Sequence, residues 1–281
     1  MPVFERDGLA FHYLDEGDPW GRPFVFQHGL GGDVSQPAGV FSPTPGIRLL
    51  SVDCRGHGET YPLGGAQKLS FSCFADDVAA LIDRLGFERA VVGGISMGAG
   101  VALNLASRHP KRVAGLVLSR PAWLDSPMPG NLRTYPVVAR LLRDHGAELG
   151  REHFEATEEY AELERAAPGA GRSLASSQFG RPRAREFAAV LESLAGDAPG
   201  GDRSRWREVR TPALVLASWQ DPTHPHSYAE ILARTLPSAR LAELTPKTES
   251  EDSHAADTQA AIAGFLDPVF WLAAQEEATR R

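Results

Sequence analysis

The sequence predicts an α/β protein: a mostly parallel, twisted sheet covered by helices on both faces, with a helical insertion late in the chain. Three observations carry this expectation. Short, continuous apolar runs recur, and each ends abruptly in a glycine-rich or polar turn. Segments with helical spacing separate those runs, the alternation that builds parallel sheets buried on both sides. From about residue 124 to 207 the alternation lapses into Arg-, Ala- and Glu-rich helical patterns with no strong strand.

In chain order, two short strands are expected around Phe4 and across 11–15, followed by a turn at Gly17-Asp18-Pro19-Trp20-Gly21. Residues 23–27 read as a buried strand feeding the loop His28-Gly29-Leu30-Gly31-Gly32. Ile47–Val52 repeats the pattern and runs into Asp53-Cys54-Arg55-Gly56-His57-Gly58. Between 72 and 85 the apolar residues Phe74, Val78, Leu81, Ile82 and Leu85 follow a helical period, with Gly86 as the stop. Residues 90–93 form a further buried strand, 99–108 a helix with Pro110 just beyond it, and Val113–Ser119 the sixth strand. Gly196-Asp197-Ala198-Pro199-Gly200-Gly201 breaks the insertion. The alternation resumes with the strand Ala213–Ala217, a helix at 228–235, a strand at 240–244 and a last helix. Asp267-Pro268 is expected to stop that helix near Phe265-Leu266, and 269–281 can form one more short, charged helix. Residues 1–123 and 208–281 thus form one core and 124–207 the insertion.

Composition bounds the function. A chain of 281 residues, 42% hydrophobic and 23% charged, is ordinary for a soluble protein and long enough for one large core. The net charge of −7 and scattered arginines leave no basic footprint for nucleic acid. Two cysteines, Cys54 and Cys73, are too few for a disulfide framework and lack metal-ligand spacing. They read as free thiols of a reducing compartment. The start of the chain is charged early, and no apolar run approaches a membrane span. A cytoplasmic protein, monomer or homodimer, acting on a small molecule without metal or cofactor, is the expectation.

The chemistry concentrates at Gly94-Ile95-Ser96-Met97-Gly98, between a strand and a helix. A serine on such a sharp turn has its hydroxyl lifted above the sheet, as a nucleophile requires. The residues two before and two after approach closely, so glycine is needed at 94 and 98. The Met97 N–H lies at a helix N-terminus, where it can donate to a developing oxyanion.

On these residues, with His28-Gly29-Leu30-Gly31-Gly32 and Asp53-x-Arg55-Gly56-His57-Gly58, the chain resembles the α/β-hydrolase superfamily. The likeness is to the small esterase and epoxide-hydrolase-like branch, with a Ser nucleophile and a helical lid inserted after the sixth strand. Ser96 stands where an epoxide hydrolase or haloalkane dehalogenase carries Asp, which counts against both. The resemblance implies that Leu30 supplies the second oxyanion N–H beside Met97. It implies that His28 braces its loop and His57 closes a turn. It places the triad acid after the strand Ala213–Ala217, at Asp221, with Asp125 as the alternative.

The order Ser, Asp, His then calls for a histidine after the last strand. The residue there is His254. It sits late, because family spacing puts the slot near Thr248 or Glu249, and His254 falls where the last helix begins. Three readings stand: His254 as the base; His224 or His226, just after Asp221, in its place; or an incomplete triad on a scaffold used otherwise. In the pocket, Arg120 at a strand end is expected to clamp a carboxylate or to pair with an acid of the lid, and Trp123 and Trp219 to line an apolar wall. Asp33 reads as a solvated loop carboxylate. The function expected is hydrolysis of a small or medium carboxylic ester, thioester or lactone, or of a C–C bond, through an acyl-enzyme on Ser96. The alternative is a cyclase, an isomerase or a ligand-binding protein.

Overall fold

The computed structural model describes residues 1–200 and 202–280, with side chains up to Leu272. Gly201, in the expected break of the insertion, and Arg281, at the end of the expected tail helix, lie outside the described residues.

The strands are β1 (Val3–Arg6), β2 (Leu9–Gly17), β3 (Arg22–Gln27), β4 (Ile47–Val52), β5 (Ala90–Ile95), β6 (Val113–Ser119), β7 (Ala213–Ala217) and β8 (Ala239–Glu243). They form one eight-stranded sheet in the order β1-β2-β4-β3-β5-β6-β7-β8. β1 and β2 pair antiparallel, as do β2 and β4, and all later pairs are parallel. Every residue of β5, β6 and β7 is buried. These are the strands that read as unbroken apolar runs, the signature of a sheet covered on both faces.

The pleat sorts side chains between two cores. On β3, Val25 faces one and its neighbours Phe24 and Phe26 face the other. The first core is completed by α2 (Phe71–Arg84), α3 (Met97–Arg108) and α10 (His226–Thr235). The second is completed by α1 (Ser35–Val40) and α11 (Glu251–Arg280). α2 begins where Ser70 accepts the Cys73 N–H in an N-cap. It ends before Gly86, which takes φ +77°.

Between β6 and β7 lie α4 (Thr134–His145), α5 (Ala147–Glu155), α6 (Glu158–Ala166), α7 (Ala170–Phe179), α8 (Ala184–Ala195) and α9 (Arg203–Trp206). Their apolar faces (Val138 and Leu142 on α4, Phe187 and Leu191 on α8) join the first core. The helices therefore sit over the C-terminal ends of the strands, where Ser96 emerges.

The last helix departs from expectation. α11 does not stop at Asp267-Pro268 but continues through Pro268. Proline forfeits one helical hydrogen bond, yet Ile262, Phe265 and Leu266 before it and Val269 and Phe270 after it are all buried in the second core. Burial on both sides holds the helical path across the break.

Candidate active site

Ser96 lies between β5 and α3 with φ +56° and ψ −109°, a backbone that an ordinary residue avoids. Its N–H donates to the Ser119 carbonyl of β6 at 2.9 Å, which pins the turn. A Cβ on Gly94 would collide with the Gly98 backbone, and one on Gly98 with the Gln27 carbonyl. Only a chain bare at both places can turn here.

The loop after β3 is held by side chains. Gly29 N–H donates to Gln36 Oε1 at 2.6 Å. Cys54 N–H donates to His28 Nε2 at 3.1 Å, so the His28 proton sits on Nδ1 and is given to the Gly29 carbonyl at 2.8 Å. Burial keeps His28 below its ordinary pKa, and burial followed by the neighbouring His28 holds His57 well below it. His28 is thus a neutral brace, and His57 Nδ1 meets the Arg55 carbonyl at 3.1 Å. The Leu30 and Met97 N–H groups have no acceptor among the described residues. Leu30 lines the cavity beside Ser96.

The histidine on Ser96 is His224. Its Nε2 lies 2.9 Å from Ser96 Oγ, and its Nδ1 lies 2.8 Å from Asp221 Oδ2. Both come from the loop between β7 and α10, three residues apart. His254, the base expected from chain order, is not brought to Ser96. It sits in the first turn of α11, and its Nδ1 meets the Thr245 carbonyl at 2.8 Å. His226 is turned away as well, stacked on Trp219 with ring centroids 3.8 Å apart and its Nε2 3.2 Å from Glu243 Oε1. Asp125 pairs with Arg203 at 3.0 Å and does not face the cavity.

Asp221 is 17% exposed on its side chain and His224 11%. Burial alone would raise the Asp221 pKa, but His224 and then Arg120 override it and hold the carboxyl far below the usual range. Burial lowers the His224 pKa, with Asp221 pulling up and Arg120 pulling down. At neutral pH the pair is therefore a carboxylate beside a neutral imidazole. Given one proton between Nδ1 and Nε2, the hydrogen bond to Asp221 selects the tautomer with Nε2 free to accept from Ser96. The phenol of Tyr135 on α4, buried near Asp221, is pushed up to about 12 and stays neutral.

These groups open on a cavity of about 500 Å³. Leu30, Ala167, Ala170 and Leu174 give it apolar surface, and Gln178 and Lys247 give it polar walls. Arg120 lines it but spends its guanidinium on Asp221 at 3.0 Å. Trp219 borders it, half exposed. Trp123 does not line it. Its indole is buried among the helices, Nε1 donates to the Leu194 carbonyl at 3.2 Å, and its ring packs edge-on against Phe71. Leaving the end of β6 directly into the insertion, it packs as core.

A family model for the alpha/beta hydrolase fold matches residues 22–248. The chain belongs to the α/β-hydrolase family. Among known proteins, this α/β hydrolase is 28% identical over 254 residues to a putative 2-succinyl-6-hydroxy-2,4-cyclohexadiene-1-carboxylate synthase of Bacillus subtilis (strain 168), over 86% of this chain and 88% of that one. It is 29% identical to a 2-hydroxymuconate semialdehyde hydrolase of Pseudomonas putida over 85% of each chain. In structure it is similar to the enol-lactonase from Burkholderia xenovorans LB400, with a TM-score of 0.70 and 24% identity, over 97% of this chain and 100% of that one. At that identity the structural likeness speaks to the fold. Family membership and relatives of this kind support a hydrolase activity in general terms.

One signal for His224 was present in the chain. Asp221-Pro222-Thr223-His224 puts a histidine within one short loop of the expected acid, while the stretch after β8 offers Thr248 and Glu249 where the resemblance expects the histidine. The helix expected at 228–235 already left His224 outside it; what spacing could not convey is that the loop between β7 and α10 turns His224 over Ser96. Tyr135 and Gln178, both on the insertion and both lining the cavity, carried no motif at all.

Proposed function

We propose that the protein is a serine hydrolase in which Ser96, His224 and Asp221 act as nucleophile, base and acid. The observation that carries this is the linked pair of contacts at His224: 2.9 Å to Ser96 Oγ and 2.8 Å to Asp221 Oδ2. Ser96 Oγ attacks the carbonyl carbon of the substrate as His224 Nε2 takes its proton. Asp221 stabilises the imidazolium so formed. The carbonyl oxygen, now charged, accepts from the N–H groups of Leu30 and Met97, fixed donors that need no reorganisation. The C–O or C–S bond to the leaving group breaks, and His224 returns its proton to that group. A water, activated by the same nitrogen, then releases the acid and restores Ser96.

The substrate is a small or medium carboxylic ester, thioester or lactone, a size the cavity of about 500 Å³ suits. A C–C bond next to a ketone can be cleaved by the same groups, and the semialdehyde hydrolase among the relatives makes such substrates worth testing. Helices α4–α9 act as the lid that shapes the acyl pocket. The two unpaired thiols, Cys54 and Cys73, suit a cytoplasmic protein, monomeric or dimeric. No described helix is long and apolar enough to cross a membrane.

A fluorophosphonate probe together with p-nitrophenyl esters tests the reading. Wild type should be labelled and Ser96→Ala should not. His224→Ala should lose about 10³- to 10⁴-fold in kcat, and His254→Ala should stay within about threefold of wild type. An unlabelled wild type that cleaves no ester would sink the proposal. A His254→Ala variant as impaired as Ser96→Ala, beside an active His224→Ala, would move the base to His254.

A further inference from the structure

Asp221 and His224 sit together on one loop, so regular structure anchors neither of them. The link from this loop back to the nucleophile runs through Arg120. Ser96 N–H is bonded to the Ser119 carbonyl at 2.9 Å, and the next residue is Arg120. Arg120 has φ +48°, a left-handed turn that throws its side chain back over the strand ends. Its own N–H donates to the Leu216 carbonyl of β7 at 2.8 Å. Its Nε and Nη2 both reach Asp221 Oδ2 at 3.0 Å. That oxygen also takes His224 Nδ1, and His224 Nε2 closes the ring on Ser96. The guanidinium is largely buried, with 14% of its side chain exposed.

We propose that Arg120 is a positioning residue of the reaction: it locks the acid–base loop onto the end of β6, the strand that pins the nucleophile turn, and sets a fixed cation against the His224 ring. This rests on the Ser96–His224–Asp221 reading above. Arg120 Nη2 lies 3.0 Å from His224 Nδ1. When Nδ1 carries its proton toward Asp221, Nη2 has no lone pair there to meet, so the contact is one of charge. It opposes the imidazolium that Asp221 favours. The other arrangement, Nη2 donating to Nδ1, would put the proton on Nε2 and disable the base. The Asp221 carboxylate, which can only accept and lies 2.8 Å from Nδ1, holds the proton on Nδ1 and so excludes that arrangement.

The charged and titratable groups facing this centre come from several elements. Asp221 belongs to the same loop, Arg120 follows β6, and Lys247 follows β8. Tyr135 from α4 faces Asp221, while His254 from α11 senses Arg120, Lys247 and Asp221, and Glu251 faces Lys247. Of these, Arg120 makes the direct contact with the His224 ring that opposes its charge.

The experiment compares Arg120→Gln and Arg120→Lys with wild type in the kcat and KM for a neutral and an anionic p-nitrophenyl ester, across pH. Arg120→Gln should lower kcat about 10- to 100-fold, as loss of positioning does, while KM moves by less than about threefold. The acidic limb of kcat/KM should rise by about half to one pH unit, because removing the cation lets His224 hold its proton to higher pH. Arg120→Lys keeps the charge but not the paired donors. It should leave the limb in place and cost about three- to tenfold in kcat. An unmoved limb in Arg120→Gln, wild-type kcat in either variant, or a loss confined to KM for anionic esters would overturn the proposal. That last result would mark Arg120 as a substrate clamp. If Arg120→Gln does not fold, Arg120→Lys decides by its kcat. Fluorophosphonate labelling of wild type and its loss in Ser96→Ala, run alongside, tell failure of the triad reading from failure of this one.

Discussion

Three side chains of the site, Ser96, Arg120 and Gln220, occupy left-handed backbone with φ of +56°, +48° and +59°. Each such residue costs on the order of 1–3 kcal/mol unless its surroundings hold it. At Ser96 the surroundings are glycines, and Gly98 leaves no room for a Cβ because the Gln27 and His28 carbonyls lie where it would go. Gly98→Ala should therefore cost about 1–3 kcal/mol by overpacking and blunt Ser96 by shifting the turn. Thermal unfolding together with fluorophosphonate labelling checks this, and a variant with wild-type midpoint and labelling rate would show that the turn can give. The local nature of this constraint is why Ser96 was legible. Strand, glycine, serine, glycine and helix are contiguous, so their geometry is written in neighbouring residues. The base was not legible in that way. Whether His224 or His254 meets Ser96 depends on where α10 and α11 begin relative to their strands, a matter of one or two residues that periodicity does not resolve. Trp123 shows the same limit from the other side. An aromatic at a strand end has a readable position, but the partner it faces, Phe71 or a substrate, depends on how α2 and the inserted helices pack.

At the scale of elements, the strands were the easiest to read, since β4, β6 and β7 have the bounds that their largely apolar runs predict. Helix ends were harder where packing overrides a local stop signal. α11 is the clearest instance: Pro268 is exposed on its outer face, while Phe265, Leu266, Val269 and Phe270 point into the second core. The buried stripe on both sides outweighs the hydrogen bond that proline cannot make. Because Pro268 is exposed, replacing it chiefly reports the backbone effect. Pro268→Ala should stabilise the protein by about 1 kcal/mol or more, since alanine restores the N–H and is the better helix former by up to about 3 kcal/mol. For a chain of this size that is a rise in Tm of about 2–4 °C. A fall in Tm would mean that the path of α11 needs the proline, and that the helix is bent there to follow the sheet. The inserted helices α4–α9 were legible as helical by composition, but the residues they contribute to the cavity were not. Tyr135 and Gln178 become wall only after the helices fold back over the strand ends.

For the molecule as a whole, four histidines stand out as groups that folding keeps neutral. His28, His57 and His254 are buried and His224 is largely so, and burial is the leading cause of a lowered pKa at each. In the unfolded chain each returns to about 6.5. As pH falls through that value the unfolded state takes up protons that the folded state refuses, so stability drops with acidification. Each histidine contributes a slope of at most about 1.4 kcal/mol per pH unit, so about 5 kcal/mol per unit is the ceiling for the four together. The depressed Asp221 carboxyl works in the same direction but lower, its contribution being present above the ordinary aspartate value and lost as pH falls through the folded one. Asp53 and Asp77 oppose it, since burial raises both, and they ease the decline only once carboxylates begin to titrate. The urea midpoint should therefore fall steadily between about pH 7.5 and pH 5.5, with uptake of more than one proton on unfolding. A midpoint unchanged across that range would mean that the buried imidazoles are charged or hydrated in the folded protein, and the neutral His224 on which the proposed mechanism depends would lose its support. Activity supplies an independent reading of the same physics. With His224 held neutral below the usual range, the acidic limb of kcat/KM should lie under about pH 6.5. In that range the site should remain competent while the fold around it is already losing stability, so the limb reports His224 where the urea midpoint shows the protein still folded.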